Sequence, residues 1–352
     1  MKKIVKIVLL LLFPAVIIGF GISNKSDIGK SDLIPVRVGW QVSWVPQGQF
    51  VEAMKNTNIL QQNGLVGKFD RFNYGGPMIE AALAGEEDVI FLGSGPALTI
   101  TSKSDDWKIV SRMEDFRTAI MVPQNSPIKS INDLKGKVIA LPLGSVCQVL
   151  SSIALQKSGL DPKKDVAMRN VDILEQVNIV QKGNQESWGE IAALASWDPT
   201  PAQLEEQGKA RVLTLLPDIG MVVMSRKFYE AHPAAAKNFL KSLVQSYDFY
   251  YNNKEISNNW YLSDAGVNYS AKVMETAGSL ERNNKAKNIK EISLVFAKDD
   301  FAKIQEEINQ AFSLDILKKQ TQTNEIINQK FIEQAEDEIK SGNFPKAAVT
   351  SK

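Results

Sequence analysis

Apolar and polar positions alternate along the chain in a way that predicts strands and helices in turn over roughly the first two thirds of its length. Residues 35–40 alternate and are rich in β-branched side chains, which predicts a strand, whereas residues 88–92 form an apolar run typical of a buried strand. Further strands are predicted at 68–74, 108–113, 137–141, 166–171 and 210–215. Helices are predicted at 47–61, 78–84, 130–135, 146–157 and 188–194. Such alternation indicates βαβ units and a mainly parallel sheet.

The last third of the chain, after about residue 225, is predicted to be helical. Apolar side chains recur there on one face of three successive segments: Leu240, Leu243, Val244, Tyr247 and Tyr251; Phe301, Ile304, Ile308 and Phe312; Ile327, Phe331, Ala335 and Ile339. A helix with one apolar face packs that face against a core. We therefore expect these helices to return and cover an α/β unit.

The α/β pattern stops and restarts once, which predicts two lobes. Two extended segments, 118–123 and 215–224, flank the second α/β unit, and we interpret them as crossover strands between the lobes. The first lobe would then be discontinuous and comprise 35–118 and 222–345, and the second lobe with its hinge crossovers would comprise 119–221. Two lobes joined by two strands form a hinge with a cleft between them.

The N-terminus has the layout of a secretory signal. Three lysines within the first six residues precede an apolar run at 7–20, and no acidic residue occurs before Asp27. Small residues at 21–23 suit a signal peptidase, so 1–23 is predicted to be a signal peptide and 24–34 a linker. The alternative is an uncleaved membrane anchor, although the run is short for a span. The protein is expected in the periplasm, either free or anchored by this segment.

Charge and composition argue against several classes of function. The 41 basic and 40 acidic residues give a formal net charge of +1, which offers no electrostatic reason for binding nucleic acid. Cys147 is the only cysteine and His232 the only histidine, so neither an internal disulfide nor a zinc cluster is expected. No GxSxG, GxGxxG or GxxxxGK[ST] motif occurs, and the adjacent carboxylates Glu114 and Asp115 would point to opposite faces of a strand. We predict a protein without enzymatic activity, metal or cofactor.

Four stretches carry a family resemblance. They lie at 36–47, 74–91, 130–145 and 197–199 and read VRVGWQVSWVPQ, YGGPMIEAALAGEEDVIF, SINDLKGKVIALPLGS and WDP. In order and spacing they resemble the nitrate, taurine, aliphatic-sulfonate and thiamine-precursor group (NMT1-like) of periplasmic substrate-binding proteins. The C-terminal helices resemble that group in kind only. The resemblance implies the type II periplasmic-binding-protein fold, in which two α/β lobes are joined by two crossover strands with a ligand cleft between them.

Ligands of α/β units bind beyond the carboxyl ends of the strands, where helix N-termini offer unpaired N–H groups to anionic or polar groups. The candidate ligand-binding residues are Trp40, Gln41, Trp44, Gln47, Gly75, Gly76, Ser94, Gly95, Gly144, Ser145, Trp197 and Asp198. Some of them also have a plain structural interpretation: Gly75 and Gly76 as a tight turn, Ser94 as a helix cap, Trp40 as core, and Trp197 with Asp198 as a structural tryptophan before the turn at Pro199. Arg117, beside the first crossover, would pair with an anionic ligand or with an internal acid.

The resemblance implies a binding component of an ABC importer that captures a small solute by hinge closure. The solute would pass to a permease with a cytoplasmic ATPase. It would be anionic or a polar organic compound, such as a sulfonate, taurine, nitrate or a thiamine precursor, and Trp40 and Trp44 favour an organic one. The alternative is a ligand-sensing periplasmic protein that signals to a membrane partner. We expect a monomer that has no nucleic-acid partner and meets the membrane only through its N-terminal segment or the permease.

Overall fold

The computed structural model describes residues 33–342 and 345–350, so the predicted signal peptide and nearly all of the predicted linker lie outside the described residues. The strands of the described chain are β1 (Ile34–Gln41), β2 (Leu65–Phe72), β3 (Val89–Leu92), β4 (Trp107–Pro123), β5 (Val138–Leu141), β6 (Ala167–Asn170), β7 (Ile191–Trp197) and β8 (Ala210–Ser225). They form one sheet in the order β2-β1-β3-β8-β4-β7-β5-β6. Among the helices of the described residues, none is both long and apolar enough to cross a membrane.

Helices cover this sheet and connect its strands. They are α1 (Val45–Asn56), α2 (Ile59–Gln62), α3 (Gly75–Leu83), α4 (Ser94–Lys103), α5 (Val146–Lys157), α6 (Ile173–Lys182), α7 (Thr200–Glu206), α8 (Arg226–Ala231), α9 (Pro233–Asn252), α10 (Lys254–Ala265), α11 (Ala271–Ala277), α12 (Lys298–Ser313), α13 (Thr323–Ile326) and α14 (Lys330–Ser341). Short 3-10 helices lie at Ile131–Leu134, Arg282–Lys285 and Ile289–Glu291.

Two long strands in the middle of the sheet belong to both lobes. β4 and β8 pair antiparallel along their whole length, from Trp107 opposite Ser225 to Pro123 opposite Ala210. At one end β3 pairs with β8, which continues the parallel sheet of β1, β2 and β3 in the first lobe. At the other end β7 pairs with β4, which continues the parallel sheet of β5, β6 and β7 in the second lobe. These are the two crossover strands of a type II periplasmic-binding-protein fold, as predicted.

The C-terminal helices return to the first lobe. The apolar face of α9, including Phe239, Leu243 and Tyr247, packs into one core with Trp40 of β1 and with α14. The predicted face of α12 is buried at Ile304 and Ile308, in a second core on the other side of the sheet. The prediction that this helical third covers the first lobe is therefore confirmed.

One predicted helix is wrong. Residues 188–194 were expected to be helical, but Ile191–Trp197 forms β7, which lies between β5 and β4. This segment is rich in alanine, which favours a helix locally, but burial between two strands outweighs that local preference. Trp188 lies just before the strand and is buried in the core of the second lobe.

Candidate ligand-binding cleft

The two lobes meet at the N-termini of helices that follow the parallel strands. A Cβ atom added to Gly144 of the second lobe would lie 3.8 Å from the Cα of Gly76 in the first lobe. Nearby, the Asn73 amide donates a hydrogen bond of 3.0 Å to the Asp172 carboxylate across the cleft. Val149 of α5 belongs to the apolar core formed by α3, α4 and α12. The cleft is therefore closed, with the predicted glycine loops of the two lobes facing each other.

The loop after β1 folds back on itself through two glutamines. The backbone N–H of Gln41 donates to Oε1 of Gln47, and Nε2 of Gln41 donates to the carbonyl oxygen of Phe91 at 3.1 Å. Both glutamines are buried. Among the described residues Nε2 of Gln47 finds no hydrogen-bond partner, so this amide group is available to another acceptor.

The two tryptophans near β1 have different surroundings. Trp40 lies in the core of the first lobe, with the ammonium group of Lys55 at 5.4 Å from the ring centroid. Trp44 lies at the hinge, where its ring packs at 4.1 Å, centroid to centroid, against that of Phe116 on β4. The structure thus brings Trp44 to the cleft and separates Trp40 from it.

The N-terminus of α3 is open in the sense that no side chain caps it, whereas that of α4 is occupied by carboxylates. The side chain of Tyr74, the N-cap residue of α3, makes no capping hydrogen bond to the turn formed by Gly75 and Gly76. At α4, in contrast, the backbone N–H of Ser94 donates to Asp218 at 3.0 Å, and the Ser94 hydroxyl donates to Glu307 at 2.6 Å. The helix end expected to attract an anion is therefore already satisfied by the protein's own acids.

Burial raises the pKa of Asp218 to about 6 and that of Glu307 to about 8; the charge of Asp115 adds to the rise at Asp218, and the charge of Asp218 adds to the rise at Glu307. The hydrogen bonds from Ser94 oppose this effect in part. Gly95, the next residue, packs directly on the second lobe: a Cβ atom there would lie 2.7 Å from Cγ2 of Val149. Close approach of the lobes at this point requires glycine.

In the second lobe Ser145 caps its own helix. Its hydroxyl donates to the carbonyl oxygen of Pro142 at 2.6 Å and accepts from the backbone N–H of Cys147 at 3.2 Å. Gly144 has a φ of 77°, which favours glycine, and its N–H donates to Oε1 of Gln148 at 2.7 Å. Local side chains therefore engage both residues, and their contact with a ligand stays a prediction.

β7 ends at Trp197, and Asp198 follows it with a cis peptide bond to Pro199. Asp198 accepts from the N–H of Ala202 at 3.0 Å and lies 3.3 Å from Nε of Arg117. Burial raises the pKa of Asp198 to about 6, although the charge of Arg117 opposes the rise. Arg117 also pairs with Glu205 at 2.7 Å. The arginine considered for an anionic ligand is thus held by two acids of the second lobe.

Three residues of the hinge were not among the predicted ligand contacts: Glu114 on β4, and Asp218 and Gly220 on β8. Glu114 is 0% exposed, and burial followed by the charge of Glu281 raises its pKa well above the usual range. No clear sequence signal pointed to Glu114, because it lies in a mostly polar stretch of β4 between Arg112 and Arg117. Asp115 is instead bound by Arg282, at 2.7 and 2.8 Å, so the two adjacent acids have separate environments.

Comparison with known proteins agrees with this architecture. Residues 94–256 match the family described as NMT1/THI5 like. The chain is 25% identical to an aliphatic sulfonates-binding protein of Bacillus subtilis (strain 168) over 356 residues, covering 97% of this chain and 99% of that protein. It is 24% identical to the taurine-binding periplasmic protein of Escherichia coli (strain K12) over 237 residues, covering 64% of this chain and 70% of that protein.

A solved structure shows the same fold. The alkanesulfonate-binding protein SsuA from Xanthomonas axonopodis pv. citri, bound to MOPS, superposes with a TM-score of 0.67 at 20% identity, covering 84% of this chain and 98% of that one. The resemblance inferred from the sequence is confirmed: through residues 94–256 the chain is related to the NMT1/THI5-like proteins, and it has the periplasmic-binding-protein fold.

Proposed function

We propose that this protein is the substrate-binding component of an ABC importer and that it binds one small solute in the cleft between its lobes. The observation that carries the proposal is the contact of α4 with α5, through Gly95 and Val149, beside a hinge made of two continuous strands. The names of the sulfonate-binding and taurine-binding relatives support the same role. The periplasm, a monomeric state and a permease with a cytoplasmic ATPase belong to this proposal.

The mechanism is hinge closure. The solute docks on the first lobe, near Trp44 and the open N-terminus of α3, and the second lobe rotates onto it about β4 and β8. Because a closed form makes contacts from both lobes, bound solute shifts the population towards closure. The lobe boundaries predicted at 118/119 and 221/222 fall within β4 and β8, where such a rotation would take place.

Binding without chemistry fits the reactive groups that are present. Cys147 is buried, and burial raises the pKa of its thiol, which disfavours a nucleophilic thiolate. His232 is exposed at the start of α9. No cluster of His, Cys, Asp and Glu within the described ranges is suited to hold a metal ion. We therefore propose a binding protein rather than an enzyme, with a sulfonate, taurine or a similar polar organic compound as solute.

A thermal melt tests the proposal. Protein lacking residues 1–23 would be unfolded and refolded to remove bound solute, and then melted with taurine, alkanesulfonates, nitrate and a thiamine-precursor pyrimidine. A ligand specific for the folded state stabilises by about 2.7 kcal/mol at a hundred times its Kd, which raises the Tm by a few degrees. A shift confined to one compound class supports solute binding, and no shift with any compound contradicts the proposed solute classes.

Two further measurements sharpen this test. Gly76→Val places a side chain within 2.8 Å of the Tyr74 ring in the loop that Gly144 approaches, so it should remove the ligand-induced shift, whereas Gly278→Ala, where a Cβ atom meets nothing closer than 3.8 Å, should retain it. Uptake of the same solute by cells without the protein separates import from sensing. Lost uptake supports the importer, and retained uptake with a lost response supports the sensing alternative.

A further inference from the structure

A buried carboxylate without an ion-pair partner lies at the hinge. The side chain of Glu114 is 0% exposed, and none of its contacts within the described residues is with a cation at ion-pair distance. The indole N–H of Trp44 approaches it closely enough to lower its pKa but does not complete a well-aligned hydrogen bond. Buried polar groups in native proteins are almost always hydrogen-bonded, and buried charges are paired. The exception marks Glu114 as a group that serves something other than the stability of the free protein.

An irregularity in the backbone of β4 determines the direction of the Glu114 side chain. β4 and β8 change register between Arg112, which lies opposite Met221, and Asp115, which lies opposite Ile219. Two residues of β4, Met113 and Glu114, therefore lie opposite the single residue between those partners on β8. A bulge of this kind redirects a side chain and is common beside binding sites.

The residue opposite the bulge is Gly220. A Cβ atom there would lie 3.0 Å from Cη2 of Trp44 and 3.3 Å from Cγ of Glu114. Trp44 and Glu114 therefore share the space above a glycine at the hinge, where the indole N–H of Trp44 faces the Glu114 carboxyl without a well-aligned hydrogen bond. A carboxylate beside an aromatic ring is the combination that binds a cationic amine, through a charge-assisted hydrogen bond and a cation–π contact.

The charges around Glu114 favour a cation over an anion. Arg112 pairs with Glu281 at 2.8 Å and with Asp115 at 3.2 Å. Arg282 pairs with Asp115 at 2.7 Å and with Asp300 at 2.8 Å. These two guanidinium groups pair with the carboxylates of Glu281, Asp115 and Asp300. Glu114 is a fourth acid nearby and forms no ion pair with either arginine.

We propose that the solute carries a protonated amine and that Glu114 binds this group beneath Trp44. The inference rests on the proposed function and narrows its solute class. The open N-terminus of α3 suits an anionic end, so the amine would be either the cationic end of an aminoalkyl sulfonate or the head of a simple amine. Both sources share one chemistry, an ammonium group on a short chain.

Calorimetric titration of the refolded protein tests this with three matched probes. Taurine carries both an amine and a sulfonate, ethanesulfonate lacks the amine, and ethanolamine lacks the sulfonate. Wild-type protein should bind taurine or ethanolamine at least tenfold more tightly than ethanesulfonate. A higher affinity for taurine than for ethanolamine would indicate that the solute is a zwitterion with both an amine and a sulfonate group. Equal affinity for taurine and ethanesulfonate would overturn the inference while leaving the proposed function in place. No binding by any probe would overturn both.

Substitutions of Glu114 test whether this residue is responsible for the preference for amines. Glu114→Gln keeps the shape and removes the charge, so the amine preference should fall at least tenfold, whereas Glu114→Asp should retain part of it. A purely structural carboxylate would behave differently: Glu114→Gln would lower the Tm of the solute-free protein and leave the preference unchanged, and that result would overturn the inference. Glu336→Gln is the control, because this buried carboxylate has partners in Ser293 and Leu294. It should lower the Tm without altering the preference.

Discussion

Gly95 on α4 and Val149 on α5 touch across the two lobes so closely that a Cβ atom on residue 95 would lie 2.7 Å from Cγ2 of Val149 and 3.4 Å from the backbone of Val146. Gly95→Ala should therefore hold the lobes apart. Because closure provides contacts from both sides of the solute, we expect the Kd to rise about tenfold, which corresponds to about 1.4 kcal/mol. Titration calorimetry measures the change.

A double variant shows whether the steric contact is the cause. Val149→Ala removes the methyl group that Gly95→Ala would meet first, so the pair should recover most of the affinity that Gly95→Ala alone loses. If the losses of binding free energy of the two single variants simply add in the double variant, the contact between residues 95 and 149 does not limit closure of the lobes. Gly278→Ala again supplies a sterically unhindered substitution, because a Cβ atom there meets nothing closer than 3.8 Å, and its expected affinity equals that of wild type.

Stability should fall as the pH rises, because of Glu307. Burial raises the pKa of this carboxyl from its ordinary 4.5 to about 8. The folded state therefore holds a proton that the unfolded state has lost, and the stability this provides is present below about pH 4.5 and is lost as the pH rises towards 8. The Tm at pH 5 should exceed that at pH 8 by a few degrees.

Glu307→Gln should flatten this pH profile, because the amide does not titrate. The neighbouring Glu306 is the matched control: it is exposed and pairs with Lys157, which lowers its pKa. Glu306→Gln should leave the slope between pH 5 and pH 8 as in wild type. A Tm that rises with pH in the wild-type protein would contradict the environment described for Glu307.

Binding of an amine should release protons. Burial raises the pKa of Glu114 well above its usual range, and the charges of Glu281 and Asp115 add to the rise while Arg112 opposes it. The raised pKa favours the protonated carboxyl in the free protein, whereas a bound ammonium group favours the ionised form, so binding should lower this pKa. Affinity should increase about tenfold per pH unit below that pKa.

Titrations in two buffers with different ionisation enthalpies measure the released protons directly. Glu114→Gln should abolish the release, since no proton remains to be lost. Amine binding by the wild-type protein with no dependence on buffer would show that Glu114 does not change its protonation state on binding and would contradict this prediction.

The buried ion pair of Arg112 with Glu281 should matter far more than a surface pair. Arg112→Met leaves Glu281 buried without its cation, which should lower the free energy of unfolding by about 3–5 kcal/mol. Arg226→Ala removes an exposed pair with Glu230 and should cost less than about 0.5 kcal/mol. Chemical denaturation of both variants makes the comparison, and equal losses would contradict the distinction.

Local sequence patterns predicted most elements of the fold. The alternation at 35–40 gave β1, and the apolar face that includes Leu243 and Tyr247 gave α9, because both patterns follow directly from the period of the element. β7 was missed because its alanines favour a helix locally, while its strand state depends on pairing with β4 and β5. Tertiary burial is invisible to a short window of sequence.

The candidate cleft was also predictable from the sequence only in part. The helix N-termini at Gly75 and Ser94 could be located from glycines that follow strands. The acids that occupy the second of them could not, since Asp218 and Glu307 are 124 and 213 residues distant from Ser94 in sequence. Likewise, the bulge that aims Glu114 arises from the register of β4 against β8, which no single strand encodes.

The pairing of β4 with β8 also dictates an order of assembly. β3 and β8 are adjacent in the first lobe, yet the entire second lobe is synthesised between them. The first lobe thus keeps an unpaired sheet edge until Ser225 has emerged, whereas the second lobe comes from one continuous stretch that can form earlier. Substitutions in β8 should consequently slow the maturation of the first lobe more than that of the second.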